Sequence, residues 1–304
     1  MRVYYSDRYT LPLPKGHRFP IEKYRLLRNY LLSEGILKSE MIFESPLATE
    51  DQLKFAHTAE YIQQMRDGTI SKEIIKRIGF PWSKDLYERS CSTVGGAISA
   101  ARYALKAGIA GNLAGGTHHA HSDRGEGYCV FNDIAVAARI LQAEGLAKKI
   151  AIVDLDVHQG NGNSSIFCSD QDVFILSLHG EKNYPFKKIP STLDIPLADG
   201  TTDEEYLTKL KPALQHVLNF KPDFIFYQMG VDPLKEDCLG KLNLTFAGLM
   251  ERDRMVLSSA YDRKIPISLA LGGGYSKPIE LSVKAYANTY RVAQEIWNDS
   301  LDHL

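Results

Sequence analysis

Paired cysteines, a strong charge of either sign and long apolar runs are all missing from this chain, and each absence removes a class of protein. The four cysteines, Cys91, Cys129, Cys168 and Cys238, are scattered through 304 residues with no C-x-x-C pair. That is the pattern of reduced thiols in a cytoplasmic protein, rather than of a disulfide framework or a thiolate zinc site. Lys plus Arg number 36 against 37 for Asp plus Glu, a net charge of −1, so bulk charge supplies no pull toward nucleic acid. No stretch approaches the ~20 apolar residues that span a bilayer. The opening MRVYYSDRYT lacks the apolar segment of a secretory signal, and no membrane association and a cytoplasmic location are expected. There is no G-x-S-x-G elbow and no Walker A motif, and GNGNSS from Gly160 departs from a dinucleotide fingerprint at Ser165. Serine-hydrolase and nucleotide-dependent chemistries lose ground accordingly.

What is present is ordinary in composition, 44% hydrophobic and 24% charged, but ordered in pattern. Short apolar runs read as strands at residues 2–6, 111–117, 150–157, 172–179, 223–229 and 265–271. Helical spacing fills the intervals at 21–33, in pieces over 49–78 with a break at Gly68, and at 86–107, 133–144, 203–219, 245–262 and 278–297. The loop around Pro12, Pro14, Gly16, His17 and Pro20 must be pinned by something, and His57 reads as a packed or capping histidine. Strand–helix alternation predicts a three-layer α/β/α fold with a mostly parallel central sheet. No repeat, low-complexity tract or linker divides the chain, so one domain over 1–304 is expected.

The chemistry concentrates at the ends of the predicted strands, where ligands bind in open parallel sheets. The central run KIAIVDLDVHQGNGN carries Asp154, Asp156 and His158 at spacings of two, which in a strand aims them in one direction. Two buried carboxylates side by side need a compensating cation or strong hydrogen bonds, and oxygen plus imidazole donors suit zinc, with manganese, iron or cobalt also admissible. The plainer alternative is a strand end whose polar residues cap helices or bind water. His118 and His119, Ser177, Asp232 and Tyr275 fall at the ends of other predicted strands. If Asp156, His158 and Asp232 converge, they neutralise a divalent ion and leave a position open for water, with the adjacent histidines placed to move protons. Tyr275 follows three glycines and suits an oxyanion donor, although a glycine turn before a half-buried tyrosine would look the same.

Together, GGTHHA at 115–120, GEGYCVFND at 125–133, VDLDVHQGNG at 153–162, GVDPLKEDCLGKLNLT at 230–245 and LGGGYS at 271–276 resemble the histone deacetylases of the arginase/deacetylase superfamily. HQGNG in particular resembles the class IV branch and its bacterial relatives. The resemblance implies hydrolysis of an acyl-lysine amide by metal-activated water, with one catalytic zinc on Asp156, His158 and Asp232. It implies His119 as general base and then acid, His118 as its electrostatic partner held by Asp154, and Tyr275 polarising the carbonyl. It further implies a substrate tunnel walled by Gly127, Tyr128 and Tyr184, and a structural potassium ion at Asp154 and Ser177. Two positions depart from the common pattern: Asn161 stands where many relatives place an aspartate beside the second histidine, and Lys23 where many have an arginine at an inner cavity. The implied substrate is an acetylated or longer-acylated lysine on a protein or peptide. Rival substrates are small acylated amines such as acetylpolyamines, and a non-catalytic acyl-lysine binder is a further alternative.

Overall fold

In the computed structural model, which describes residues 1–298, eight parallel strands form one sheet in the order β2-β1-β3-β8-β7-β4-β5-β6. The strands are β1 (Arg2–Tyr5), β2 (Ile42–Glu44), β3 (Ile109–Asn112), β4 (Ile150–Asp154), β5 (Val173–Gly180), β6 (Leu193–Leu197), β7 (Phe224–Gln228) and β8 (Ile267–Ala270). β3, β4, β7 and β8 are buried along their whole length, which explains why they read as unbroken apolar runs instead of alternating ones. Helices α1 (Lys23–Ser33), α10 (Glu280–Asn298), α9 (Phe246–Asp262) and α8 (Asp203–Asn219) pack side by side as one layer. On the other face α5 (Lys84–Ala107) lies on β1, β3 and β8 and packs against α6 (Asp133–Ala143). The expected three-layer α/β/α architecture is therefore the observed one.

Local signals explain most boundaries. Ser83 caps α5 by accepting the Leu86 N–H, and Asn132 caps α6 through Ala135. The 49–78 region forms the three helices α2 (Glu50–Leu53), α3 (Ala59–Asp67) and α4 (Lys72–Ile78), with Gly68 ending α3. His17 pins the proline-rich loop: its Nε2 meets the Gly79 carbonyl at 2.9 Å while its Nδ1 accepts the Phe19 N–H. His57 is buried and its Nε2 accepts the Asn132 N–H, the packed role expected of it. The four cysteines are free.

Two strand expectations need correction. β3 stops at Asn112, so residues 113–119 form a loop where a strand to Thr117 was expected; Gly115 and Gly116 turn the chain there. β4 stops at Asp154, leaving Asp156 and His158 beyond the pleat. Short β2 and β6, and the short helix α7 (Asn161–Ile166), were not foreseen, because three to six residues at a sheet edge or in a turn carry little periodicity.

The chain passes from β3 to β4 across two strand positions, and β8 and β7 later fill the gap. The carboxyl ends of these four strands surround one crevice, the place a doubly wound sheet offers a ligand. Behind it, Arg252 of α9 is fully buried and donates to the carbonyls of Leu155 (3.3 Å), Met229 (3.5 Å) and Gly230 (2.6 Å), while pairing with Asp253 at 2.7 Å. Asp253 in turn accepts from Tyr227 and Thr289. One guanidinium thus ties together the chain segments leaving β4 and β7. Removing one partner of such a buried pair strands the other, so Arg252→Met is expected to cost about 3–5 kcal/mol in denaturant unfolding; a loss under ~1 kcal/mol would show that the tie is not structural.

Candidate active site

Asp154, at the end of β4, accepts the Asp156 N–H at 3.2 Å, and Asp156 Oδ1 accepts the His158 N–H at 2.9 Å. These side-chain-to-backbone turns, rather than the pleat of a strand, aim the three residues. They point to two places. Asp154 bonds His118 Nδ1 at 2.8 Å, whereas Asp156 and His158 converge with Asp232, from the segment after β7. One ligand atom from each of Asp156, His158 and Asp232 lies within 4.8 Å of the others.

Backbone donors hold this group. Gly273 N–H reaches Asp156 Oδ2 at 2.6 Å and Val157 N–H reaches Asp232 Oδ1 at 2.9 Å. At Gly273 a Cβ would stand 1.8 Å from Asp232 Oδ2, so only glycine lets the loop after β8 close over the carboxylates. Asp232 Oδ2 is buried and receives no backbone N–H; its neighbour is His158 Nδ1, 2.9 Å from it and 3.0 Å from Asp156 Oδ1. Burial works against charge on His158, but hydrogen bonds and charges from the two aspartates raise it to about 10. Burial and the Asp156 charge push Asp232 up to about 7. Two buried carboxylates sharing one imidazole nitrogen, with one carboxylate oxygen that no backbone N–H reaches, fit a divalent cation that keeps a position open for water.

The two adjacent histidines differ. Burial opposes charge on both, yet Asp154 and Asp156 raise His118 above its ordinary value. His119 is held well below that value by burial and by the His118 and His158 charges. Opposed shifts of this kind separate a charged group from a neutral acceptor. Asn161 decides the tautomer of His119: its Nδ2 donates to Glu126 Oε1 at 2.6 Å, which orients its Oδ1 toward His119 Nδ1 at 2.7 Å. His119 Nδ1 therefore carries the hydrogen and Nε2 is the free acceptor. Glu126 escaped sequence reasoning although it lies inside the quoted GEGYC motif. Its carboxyl falls to about 2: burial alone would raise it, but hydrogen bonds from His121, Asn161 and Tyr184 outweigh that.

Gly127, with φ +57°, leaves no room for a Cβ, which would meet His119 Cδ2 at 2.6 Å. Tyr128 stacks among Phe19, Phe80 and Tyr275 at centroid distances of 5.2, 5.3 and 6.2 Å, and Tyr184 stands edge-on to His119 at 4.9 Å. The Tyr275 hydroxyl is kept protonated by burial and by the Asp232 and Asp156 charges, which raise it well above its usual value. Asp237, also unforeseen, accepts the N–H of Tyr275 at 2.6 Å as well as those of Leu239 and Gly240. Lys23 is fully buried and donates to the carbonyls of Gly272 (3.2 Å) and Gly274 (3.3 Å), so here it anchors the glycine loop. Ser177 sits beside Asp154 in the β4–β5 register and hydrogen-bonds His179 Nδ1 at 2.9 Å, apart from the Asp156–His158–Asp232 group.

A model of the histone deacetylase domain matches residues 17–290. The chain belongs to the histone deacetylase family. It is 42% identical over 296 residues to an uncharacterized protein of Picosynechococcus, covering 97% of this chain and 98% of that one. It is 32% identical over 289 residues to histone deacetylase 2 of Arabidopsis thaliana, covering 90% and 74%. The crystal structure of an HDAC homolog from Aquifex aeolicus aligns with a TM-score of 0.84 at 26% identity, over 98% of this chain and 88% of that chain. No described helix of this family member is long and apolar enough to cross a membrane.

The Asn161–Glu126 contact is testable through stability alone. Asn161→Asp sets two carboxylates about where an amide now donates, a loss of a buried charged hydrogen bond worth about 1–3 kcal/mol. The same substitution combined with Glu126→Gln restores a donor and is expected to recover most of the loss in thermal unfolding. Additive effects of the two changes would exclude the contact.

Proposed function

We propose that this chain is a zinc-dependent amidohydrolase that removes a short acyl group from a lysine side chain. The observation that carries the reading is the single cavity onto which Asp156, His158, His118, His119, Tyr128 and Tyr275 all open. Asp156, His158 and Asp232 would hold the metal, which when bound supplies Lewis acidity to the acyl oxygen and lowers the pKa of a water. The neutral Nε2 of His119 takes a proton from the attacking water and returns it to the departing lysine nitrogen. His118, charged through Asp154, keeps its neighbour's basicity low. The Tyr275 hydroxyl donates to the oxyanion that develops on the acyl carbonyl. Tyr128 and Tyr184 flank the apolar stem of the lysine, with Gly127 leaving the passage open. A potassium ion at Asp154 and Ser177 would stiffen the end of β4. The products are a carboxylic acid and a free amine.

The cavity onto which these residues open measures about 50 Å³, which favours a small acyl group such as acetyl. A neighbouring cavity of about 220 Å³ shares only Tyr24 and Arg89 with it, and a long chain would have to pass between them. Lys23 is taken up by the glycine loop, so an acid product leaving inward meets Arg89 instead.

The deciding experiment compares one lysine peptide carrying acetyl, butyryl, octanoyl or myristoyl groups, with an acetylpolyamine beside it, using zinc-loaded protein. Acetyl-lysine is expected to be fastest and His119→Ala inactive, while Asp232→Ala loses its zinc in elemental analysis. Undiminished zinc in that variant would contradict the metal assignment, and cleavage of the polyamine alone would move the function to small amines. Tyr275→Phe is expected to retain zinc and lose about a hundredfold in turnover, the scale of one oxyanion donor; unchanged turnover would remove Tyr275 from the chemistry.

A further inference from the structure

The mouth of the site carries charge of one sign. A recess of about 610 Å³ takes in the aromatic residues Tyr128, Tyr184 and Tyr275 and opens outward from them, and five cationic residues line it: Arg18, Lys76, Arg77, Lys182 and Lys241. All five are exposed. They come from four segments, namely the loop before α1, the last turn of α4, the loop after β5 and the loop preceding α9. Among the described residues, the wall of this recess includes no carboxylate. That asymmetry is unexpected in a chain whose net charge is −1.

Ordinary structural duties account for part of it. Lys76 and Arg77 sit in the last turn of α4, where cations favour the helix dipole. Lys182 lies 3.9 Å from Asp199, an exposed and weak contact, and Lys241 donates to the carbonyl of Lys182. Among the described residues, the Arg18 side chain has no hydrogen-bond or ion-pair partner. Two carboxylates close to the wall are already engaged: Asp237 accepts three backbone N–H groups, and Glu126 is bound by Asn161 and Tyr184. Those two carboxylates keep their charge but point it at these internal partners, while five cations line the recess itself, and charge of one sign around a cleft steers ligands of the other. Phe186, 88% exposed and 6.3 Å from the Tyr184 ring, adds an apolar contact at the edge.

Resting on the deacylase reading above, we propose that this rim selects acyl-lysines embedded in acidic polypeptide segments, its cations meeting Asp or Glu side chains that flank the modified lysine. The recess is larger than one lysine side chain requires, and its cations come from four separate chain segments, so a chain segment uses the surface better than a compact anion. Acylated polyamines and lysine-rich tails bring further positive charge to the same opening and are disfavoured by it.

The test uses zinc-loaded protein and three acetyl-lysine peptides of equal length, flanked by Glu, Gln or Lys. The Glu peptide is expected to show about tenfold higher kcat/KM than the Lys peptide at low salt, through KM, with the gap closing as salt screens the charges. In Lys76→Glu/Lys182→Glu, checked for an unaltered melting temperature, the order of the peptides is expected to reverse. Equal kcat/KM for the three peptides, or preference for the Lys peptide, would overturn the proposal. So would faster cleavage of an acetylated amine bearing only a phosphate, which would make the occupant a small anion. Binding of the same labelled peptides, followed by fluorescence anisotropy, reads the rim without turnover. Tighter binding of the Glu peptide with no hydrolysis of any would leave the rim standing and defeat the deacylase reading, whereas equal binding defeats the rim.

Discussion

Everything at the carboxyl end of this sheet answers to one constraint, the burial of several carboxylates and imidazoles within a few ångströms of each other. Asp154, Asp156 and Asp232 are all buried, and ions so placed are tolerable only with matched donors and counter-charge. The donors are specific: the N–H groups of Gly273, Val157 and His158 and the ring of His118 meet these carboxylates, while further back the guanidinium of Arg252 holds the carbonyls of the segments that carry them. The glycine loop after β8 exists in its observed form because any side chain at Gly273 would collide with Asp232. Lys23 holds that loop from the opposite side. The oxygen of Asp232 that no backbone N–H reaches is one from which a metal would be held.

Around this cluster, orientation is passed outward by hydrogen bonds that fix direction as well as energy. Glu126 accepts only, so it sets the flip of Asn161; the Asn161 oxygen accepts only, so it sets the tautomer of His119. An amide at this position keeps a neutral partner on the imidazole and moves the negative charge one residue outward. The same carboxylate is bonded to Tyr184, which couples the wall of the passage to the histidine it stands against. In the proposed mechanism, proton handling and substrate fit would therefore share one buried anchor.

Moving outward, the site changes in character at each depth. The floor is ionic and buried, the passage is aromatic, and the rim is cationic and exposed. This gradient suits a substrate that is itself graded: an uncharged amide at its tip, a hydrocarbon stem, and a polar chain behind. A membership in the histone deacetylase family says little about that outer layer, since loops that rest on the same sheet can carry any charge.

Sequence by itself determined the sheet class, the buried central strands and the residues that meet at the strand ends, because apolar runs have a period and the functional motifs are short and local. Thus Asp156, His158, Asp232, His118, His119 and Tyr275 were all legible, as was the unusual Asn161. Tertiary structure alone decided where the strands stop: Asp154 ends β4, and turns rather than pleat aim Asp156 and His158. It also decided the partners that lie far away in the chain, Arg252 behind the floor, Asp237 under Tyr275, Glu126 beyond Asn161 and Lys23 under the glycines. The five rim cations likewise meet only in space. A periodicity or a motif reports on neighbours in sequence, whereas a hydrogen bond across 249 residues, such as that from Lys23 to Gly272, or a field summed over four loops, exists only once the chain has closed on itself.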